Sequence, residues 1–288
     1  MRTFFQQLIN GLGIGSRIAL WAIGYGLVYQ VIGLFHFAHG DTIVFSAFVA
    51  YGLFTMGVPP VAAALIAIGV GALLAMAIER AVYRPLLSRG HVFFGLVGAL
   101  AIAMVLRNIA TLIWGFDTKV FDIALVPRFR TEFAGLRIPG TTLVNLGCAL
   151  VVVILAELYL RKTRQGQAIE ALAVDREAAV LMGVPIGRTI GLVYAVSSAV
   201  GVIGVLLFIS ETRTLTVGLG FAITVQAFIA SLLGGIGSIR GALFGGLLLG
   251  LAHAMIGGYI SSLWMDGILF ALLAVLLVAR PRGLLGRR

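Results

Sequence analysis

Nine runs of apolar residues, most of them close to twenty residues long, constrain this chain more than any other feature in it. They fall at 11–34, 42–57, 61–78, 92–115, 141–160, 189–210, 220–236, 241–260 and 263–279. A helix of about twenty residues covers the roughly 30 Å of a bilayer's hydrocarbon. The runs lack the ten-residue alternation of a membrane-barrel strand. Hydrophobic residues make up 60% of the chain and charged residues 11%, and mean hydropathy is +1.09. A soluble domain carries about a quarter charged residues. The expectation is an all-α polytopic membrane protein with eight or nine spanning helices, some of them broken, in one domain over residues 1–288.

The formal charge of +10 does not mark a nucleic-acid binder. Arginines are scattered through short loops instead of gathered on one face, and no aromatic-rich reading motif accompanies them. Three basic punctuation marks stand out: "ERAVYRPLLSRG" (79–90), "RKTRQGQ" (161–167) and "RPRGLLGRR" (280–288). Placing all three in the cytoplasm follows the positive-inside rule and leaves even numbers of spans between them. The 116–139 loop, mixed in sign, then lies outside and the C-terminus inside. The orientation of the N-terminus stays open, because a Gly- and His-containing break near 33–41 allows either one discontinuous helix or two spans.

Few residues have the makings of a chemical site. No G-x-x-x-x-G-K-[ST] phosphate loop, G-x-S-x-G or H-E-x-x-H occurs, so neither ATP binding nor catalysis by this chain is expected, and no cofactor. Cys148 is the only cysteine, which excludes an internal disulfide. "HFAHGD" places His36, His39 and Asp41 together at a helix break. Two imidazoles three residues apart could bind a metal, but a third strong ligand would have to come from elsewhere; a polar break lining a wet path is the better reading, and no metal is expected. Arg107 reads as a side chain snorkelling to the outer interface. Glu157 and Arg161 have the spacing of a helix ion pair. Gly241, Gly245, Gly246 and Gly250 form two small-xxx-small pairs for close helix packing. Gly234, Gly235 and Gly237 suggest a second break, faced by the polar Gln226. "IGLFHFAHGDTIVFSAF" and "VGLGFAITVQAFIASLL" echo one another faintly, and paired repeats with broken helices are a transporter habit.

One polar stretch interrupts the oil. Residues 167–182 are helix formers without internal Gly or Pro, and Gly183 and Pro185 close them. Such a helix lies on the inner leaflet or docks a soluble protein. Its acids Glu170, Asp175 and Glu177 disfavour an anionic leaflet.

"GLVYQVIGLFHFAHGD", "TRQGQAIEALAVDREAAVLMGVP", "LLGGIGSIRGALFGGLLLG" and "RPRGLLGRR", in this order over nearly the whole chain, resemble the H-type permease subunits of branched-chain amino acid ABC importers. The resemblance implies an importer-permease fold in a bacterial or archaeal inner membrane. It implies a second permease subunit, two cytoplasmic P-loop ATPases, an external substrate-binding protein and contact with membrane lipid. "EAAVLMG" matches the coupling-loop motif, which places Glu177, Ala178, Ala179 and Gly183 at the ATPase, within a coupling segment 161–188. The translocation pathway is expected at His36, His39, Asp41, Gln226, Gly234, Gly235 and Gly237. His36 departs from the Asn usual in the family, which leaves the solute open. A stand-alone channel or secondary carrier for urea or a short amide is the other reading.

Overall fold

The computed structural model describes residues 2–33, 35–87, 92–121, 125, 130–133, 136–235, 237–261, 264, 267–268, 270–271 and 274–275. Helix dominates, with four short strands in the loops. Helix α1 (Arg2–Ile32) is 31 residues long, about 46 Å at 1.5 Å per residue. It is followed by α2 (His39–Thr55), α3 (Pro60–Ile78), a π-helical turn (Glu79–Tyr83), α4 (Arg84–Leu87) and α5 (Val92–Trp114). Strands β1 (Lys119–Val120), β2 (Arg130–Phe133) and β3 (Leu136–Pro139) lead into α6 (Gly140–Lys162). The polar segment holds α7 (Arg164–Val174) and α8 (Arg176–Leu181), and the chain continues through α9 (Ile186–Thr212), β4 (Thr214–Leu215), α10 (Leu219–Gly234) and α11 (Ile239–Tyr259).

Six helices among the described residues are long and apolar enough to cross a membrane: α1, α3 with its continuation to Leu87, α5, α6, α9 and α11. The runs at 42–57 and 220–236 form helices of only 17 and 16 residues. The run at 263–279 lies largely outside the described residues. Against the expected eight or nine spanning helices, the described residues hold six full-length ones and the two shorter helices α2 and α10.

Helix α1 is the axis of the molecule. Its most apolar window is 89% buried, against 28% for α5 and for α6, which turn Met104, Leu112, Val151 and Leu155 outward as lipid-facing surface. Small residues make that burial possible. Gly246 and Gly250 lie against the backbone of Ala19 and Gly15 on α1, while Gly241 and Gly245 lie against Gly234 and Ala230 on α10. The two small-xxx-small pairs therefore serve two different neighbours. Any side chain at these positions would strike backbone.

Two parts of the chain repeat one design. In α1–α2–α3 a long helix ends at Gly33, in the left-handed conformation (φ 67°). A six-residue lead (33–38), a short helix, a four-residue turn (56–59) and another long helix follow. In α9–α10–α11 a long helix ends at Arg213, also left-handed (φ 57°), with a six-residue lead (213–218), a short helix, a four-residue turn (235–238) and a long helix. The offset is 180 residues, as 213 − 33, and not the 185 of the aromatic echo in the sequence. The units run in opposite directions. Gln6 at the start of α1 exchanges two hydrogen bonds with the Arg137 backbone (2.8 and 3.0 Å), tying that end to β3. At the end of α9, the Phe121 amide donates to the Arg213 carbonyl (2.9 Å), and β1 pairs with β4. The start of α1 and the end of α9 thus share the strand-bearing face. The end of α1 and the start of α9 share the face of α7 and α8.

The polar segment differs from one expectation. Residues 167–182 are not a continuous helix: Asp175 ends α7 and caps α8, its Oδ1 accepting the amides of Glu177 (2.9 Å) and Ala178 (3.0 Å). An aspartate offers that local alternative readily. Thr163 caps α7 in the same way, through the Gly166 amide (2.9 Å).

Candidate functional site

The first break gathers several buried polar residues: His36, His39, Asp41 and Thr42. Gly33 turns the chain out of α1, and His36 and His39 then enter the interior, each nearly inaccessible. His36 Nδ1 lies 2.8 Å from the Tyr83 hydroxyl. Its ring packs edge-on against Tyr83 and Tyr194, which stack on each other at 5.4 Å. Tyr83 belongs to the π-helical turn, a local widening often found at functional positions. The same turn buries Glu79, which takes two hydrogen bonds from Arg84 (3.1 and 2.9 Å). His39 opens α2 with its ring against Tyr25 and Gly201, and its Nε2 has no hydrogen-bond partner among the described residues. Among those residues no three potential metal ligands gather, and His36 Nδ1 is already engaged by the Tyr83 hydroxyl.

At Gly40 the two short helices meet. A side chain at Gly40 would strike the Gly220 carbonyl, and one at Gly220 would strike Asp41. The Gly40 amide donates to Thr224 Oγ1 (2.8 Å), whose own hydroxyl proton has the carbonyls of Gly220 (3.0 Å) and Phe37 (3.3 Å) in reach. The N-terminal ends of α2 and α10 therefore cross each other, with Asp41 at the crossing. Its carboxylate accepts two hydrogen bonds from Arg107 on α5, at 2.8 and 3.0 Å. A carboxylate at helix N-termini is favoured by their partial positive charge, and a two-pronged guanidinium contact is the strongest form of ion pair. Arg107 is thus no simple snorkelling residue, although its side chain remains 35% exposed while that of Asp41 is 1%.

The other expected pathway residues lie elsewhere. Gly234, Gly235 and Gly237 form the end of α10 and its turn into α11, where Gly234 lies against Gly241 and Gly237 against Gln30. Gln226 sits half-buried on α10, two turns before Gly234. In the segment expected to couple, Glu177, Ala178 and Gly183 are exposed, whereas Ala179 is buried and packs inward. The exposed positions include large apolar ones that sequence reasoning passed over: Val174 (88%), Leu181 (87%) and Met182 (85%). Glu157 pairs with Arg161 (2.9 Å) as the i,i+4 spacing suggests, and also with Arg240 (2.7 Å).

Sequence reasoning also missed Arg17, buried inside α1. Its guanidinium is 3.2 Å from Glu211 at the end of α9 and lies over the Phe208 ring, while Asn145 of α6 approaches the same carboxylate. The only signal was an arginine inside an apolar run, and its partner is 194 residues away in sequence.

Comparison with known proteins places these features. The family model described as the branched-chain amino acid transport system permease component matches residues 7–278. The chain is 32% identical to the high-affinity branched-chain amino acid transport system permease protein BraD of Pseudomonas aeruginosa, over 99% of this chain and 96% of that protein. It is 33% identical to the permease protein LivH of Escherichia coli K12 with the same coverage. A probable branched-chain amino acid transport permease of Methanocaldococcus jannaschii is 28% identical over 98% of this chain and 92% of its own length. Among solved structures, PsaBC from Streptococcus pneumoniae, in complex with Fab, matches in fold, with TM-score 0.51, 14% identity, and coverage of 95% of this chain and 91% of that one. The six long apolar helices, the crossed short pair and a match along nearly the whole length agree: this chain belongs to the branched-chain amino acid transport permease family.

Proposed function

We propose that the protein is the membrane subunit of an ATP-driven importer that carries branched-chain or similar small amino acids inward across the inner membrane. The observation that carries this reading is the full-length match to permeases named for that transport. In this reading the face bearing α7 and α8 is cytoplasmic, the strand-bearing face and the N-terminus are external, and the C-terminus is cytoplasmic. The arginines of residues 80–84, 161–164 and 240 support that sidedness. Helices α2 and α10 make two further crossings, in keeping with the eight or nine expected. A second permease subunit, two ATPases and an external binding protein complete the transporter.

Coupling runs through α8. Glu177 and Ala178 offer a polar, close-approach surface, and Val174, Leu181 and Met182 supply apolar area that water disfavours and a protein partner would cover. Gly183, left-handed at φ 81°, ends the helix. The pathway runs past the first break, where His36, His39 and Asp41 sit, with Gln226 on the facing helix. The Gly234–Gly237 turn acts as the inner hinge of α10.

The test is uptake of leucine into proteoliposomes holding the chain with its partner permease, ATPases and binding protein. Uptake is expected only with ATP and all subunits. Leu181→Asp or Glu177→Lys should abolish it and co-purification of the ATPases together, since an unpaired charge at an interface costs about 2–5 kcal/mol. Uptake by the chain alone, without ATP, would make it a channel or secondary carrier instead.

A further inference from the structure

On the face of α7 and α8 a cavity of about 580 Å³ opens between the π-helical turn, the start of α7 and the first turns of α9. Four arginines line it, Arg80, Arg84, Arg164 and Arg188, against one acid, Glu79. Glu79 is consumed by Arg84, which also donates to the Gly187 carbonyl. Arg80, Arg164 and Arg188 have no carboxylate within ion-pair distance among the described residues. Three uncompensated cations from three separate elements therefore converge on one space. Like charges held together repel, by an amount that solvent screens at these exposed positions, and an anion seated among them relieves that repulsion.

The rest of the wall says which anion. Met76 and Leu192 line the cavity one turn further along α3 and α9, and both of those helices are long and apolar enough to span. The cavity is thus basic at its mouth and apolar toward the membrane interior. Guanidinium groups match phosphate oxygens in paired hydrogen bonds, and basic pockets between spanning helices on the cytoplasmic side suit lipid headgroups. We propose that this cavity binds the phosphate headgroup of an anionic phospholipid, with its acyl chains against α3 and α9. Because Arg164 belongs to α7, the bound lipid braces the coupling segment against the spanning helices. The sidedness rests on the topology proposed above; the binding itself does not.

The test is done on the purified full-length chain in detergent, where sidedness plays no part. Native mass spectrometry with short-chain phosphatidylglycerol should show a discrete bound lipid, and phosphatidylcholine should bind at least tenfold more weakly. The combined variant Arg80→Gln, Arg164→Gln, Arg188→Gln should lose the phosphatidylglycerol preference. Arg2→Gln, Lys119→Gln, Arg137→Gln, an equal charge change on the opposite face, should keep it. If the cavity triple variant aggregates, Arg188→Gln alone should weaken binding several-fold. An unchanged preference in either cavity variant overturns the proposal. Inorganic phosphate displacing the lipid at equal concentration would assign the site to a soluble anion and overturn the lipid reading.

Discussion

The two breaks, 33–38 and 213–218, share a backbone plan and almost none of their chemistry. Each follows a left-handed residue, each leads into a short helix, and the two helices cross at Gly40 and Gly220. The first break and the start of its helix carry His36, His39 and Asp41, all buried. The corresponding stretch after Arg213 contributes Thr224 as its polar group at the crossing, with the uncharged Thr214 and Thr216 among Leu215, Val217, Leu219 and Phe221. The geometry is duplicated, while the buried charge at the crossing, Asp41, lies on one side only. Inverted repeats give a transporter two related half-structures whose relative movement opens alternate sides. At the crossing the buried carboxylate belongs to the first half, where Arg107 holds Asp41, and the second half meets it through Gly220 and Thr224.

The largest effect expected from breaking this comparison is at the crossing itself. Gly40→Val drives a side chain into the Gly220 carbonyl, and backbone cannot move aside as a flexible side chain can. Folded protein should be lost, as read by size-exclusion of a detergent-solubilised fluorescent fusion. Gly218→Ala, in the other lead with nothing within 4 Å of the new methyl, should elute as the parent does. Equal behaviour of the two would remove the crossing from the account.

Next comes the one-sided charge. Arg107→Leu strands the Asp41 carboxylate in the interior, a loss of about 3–5 kcal/mol for a broken buried pair. Asp41→Asn keeps a hydrogen-bonding side chain at the crossing and leaves a guanidinium that is one-third exposed, which costs less, about 1–3 kcal/mol. Thermal unfolding should therefore rank Arg107→Leu below Asp41→Asn. The double variant Arg107→Leu, Asp41→Asn should recover part of the loss, because the stranded charge is gone. The reverse ranking would mean that Arg107 reaches water or lipid headgroups and does not depend on Asp41.

The smallest effect sharpens the likeness of the two leads. Gly33 occupies its left-handed conformation without strain, and the space around it is open. Gly33→Ala should cost only the backbone term, about 1 kcal/mol. Arg213 already bears such a term, so Arg213→Ala should show no backbone penalty of that kind. A thermal shift several-fold larger for Gly33→Ala than that term predicts would point to a role beyond capping.

Much of this fold was legible because bilayer solvation writes itself into composition. Six of the nine apolar runs match full-length helices to within a few residues, apart from the N-terminal extension of α1. Helix-break chemistry was legible too, since Gly33 and "HFAHGD" announce a turn. The repeat was heard in the wrong register because the echo compared aromatics, whereas the structure repeats a left-handed residue and a crossing glycine. The division of 167–182 into α7 and α8 was readable from Asp175 as an N-cap, but its helix-forming neighbours masked it. The Asp41–Arg107 and Arg17–Glu211 pairs join residues 66 and 194 positions apart, and hydropathy records that an ion is buried without saying which partner buries with it. Ala179 illustrates the same limit at the coupling segment: the motif names the residue, and only packing shows that it faces inward.

The central claim is that α1–α3 and α9–α11 are the same unit set in the membrane in opposite directions. Its most direct test compares the two equivalent turns, 56–59 and 235–238, in a Cys148→Ala background. Single cysteines are placed by Met56→Cys, at a position 82% exposed, and by Ser238→Cys, and intact cells are treated with a membrane-impermeant maleimide. The account predicts that Met56→Cys labels from outside, while Ser238→Cys labels only after the membrane is opened. Labelling of both from the same side would contradict the inverted arrangement.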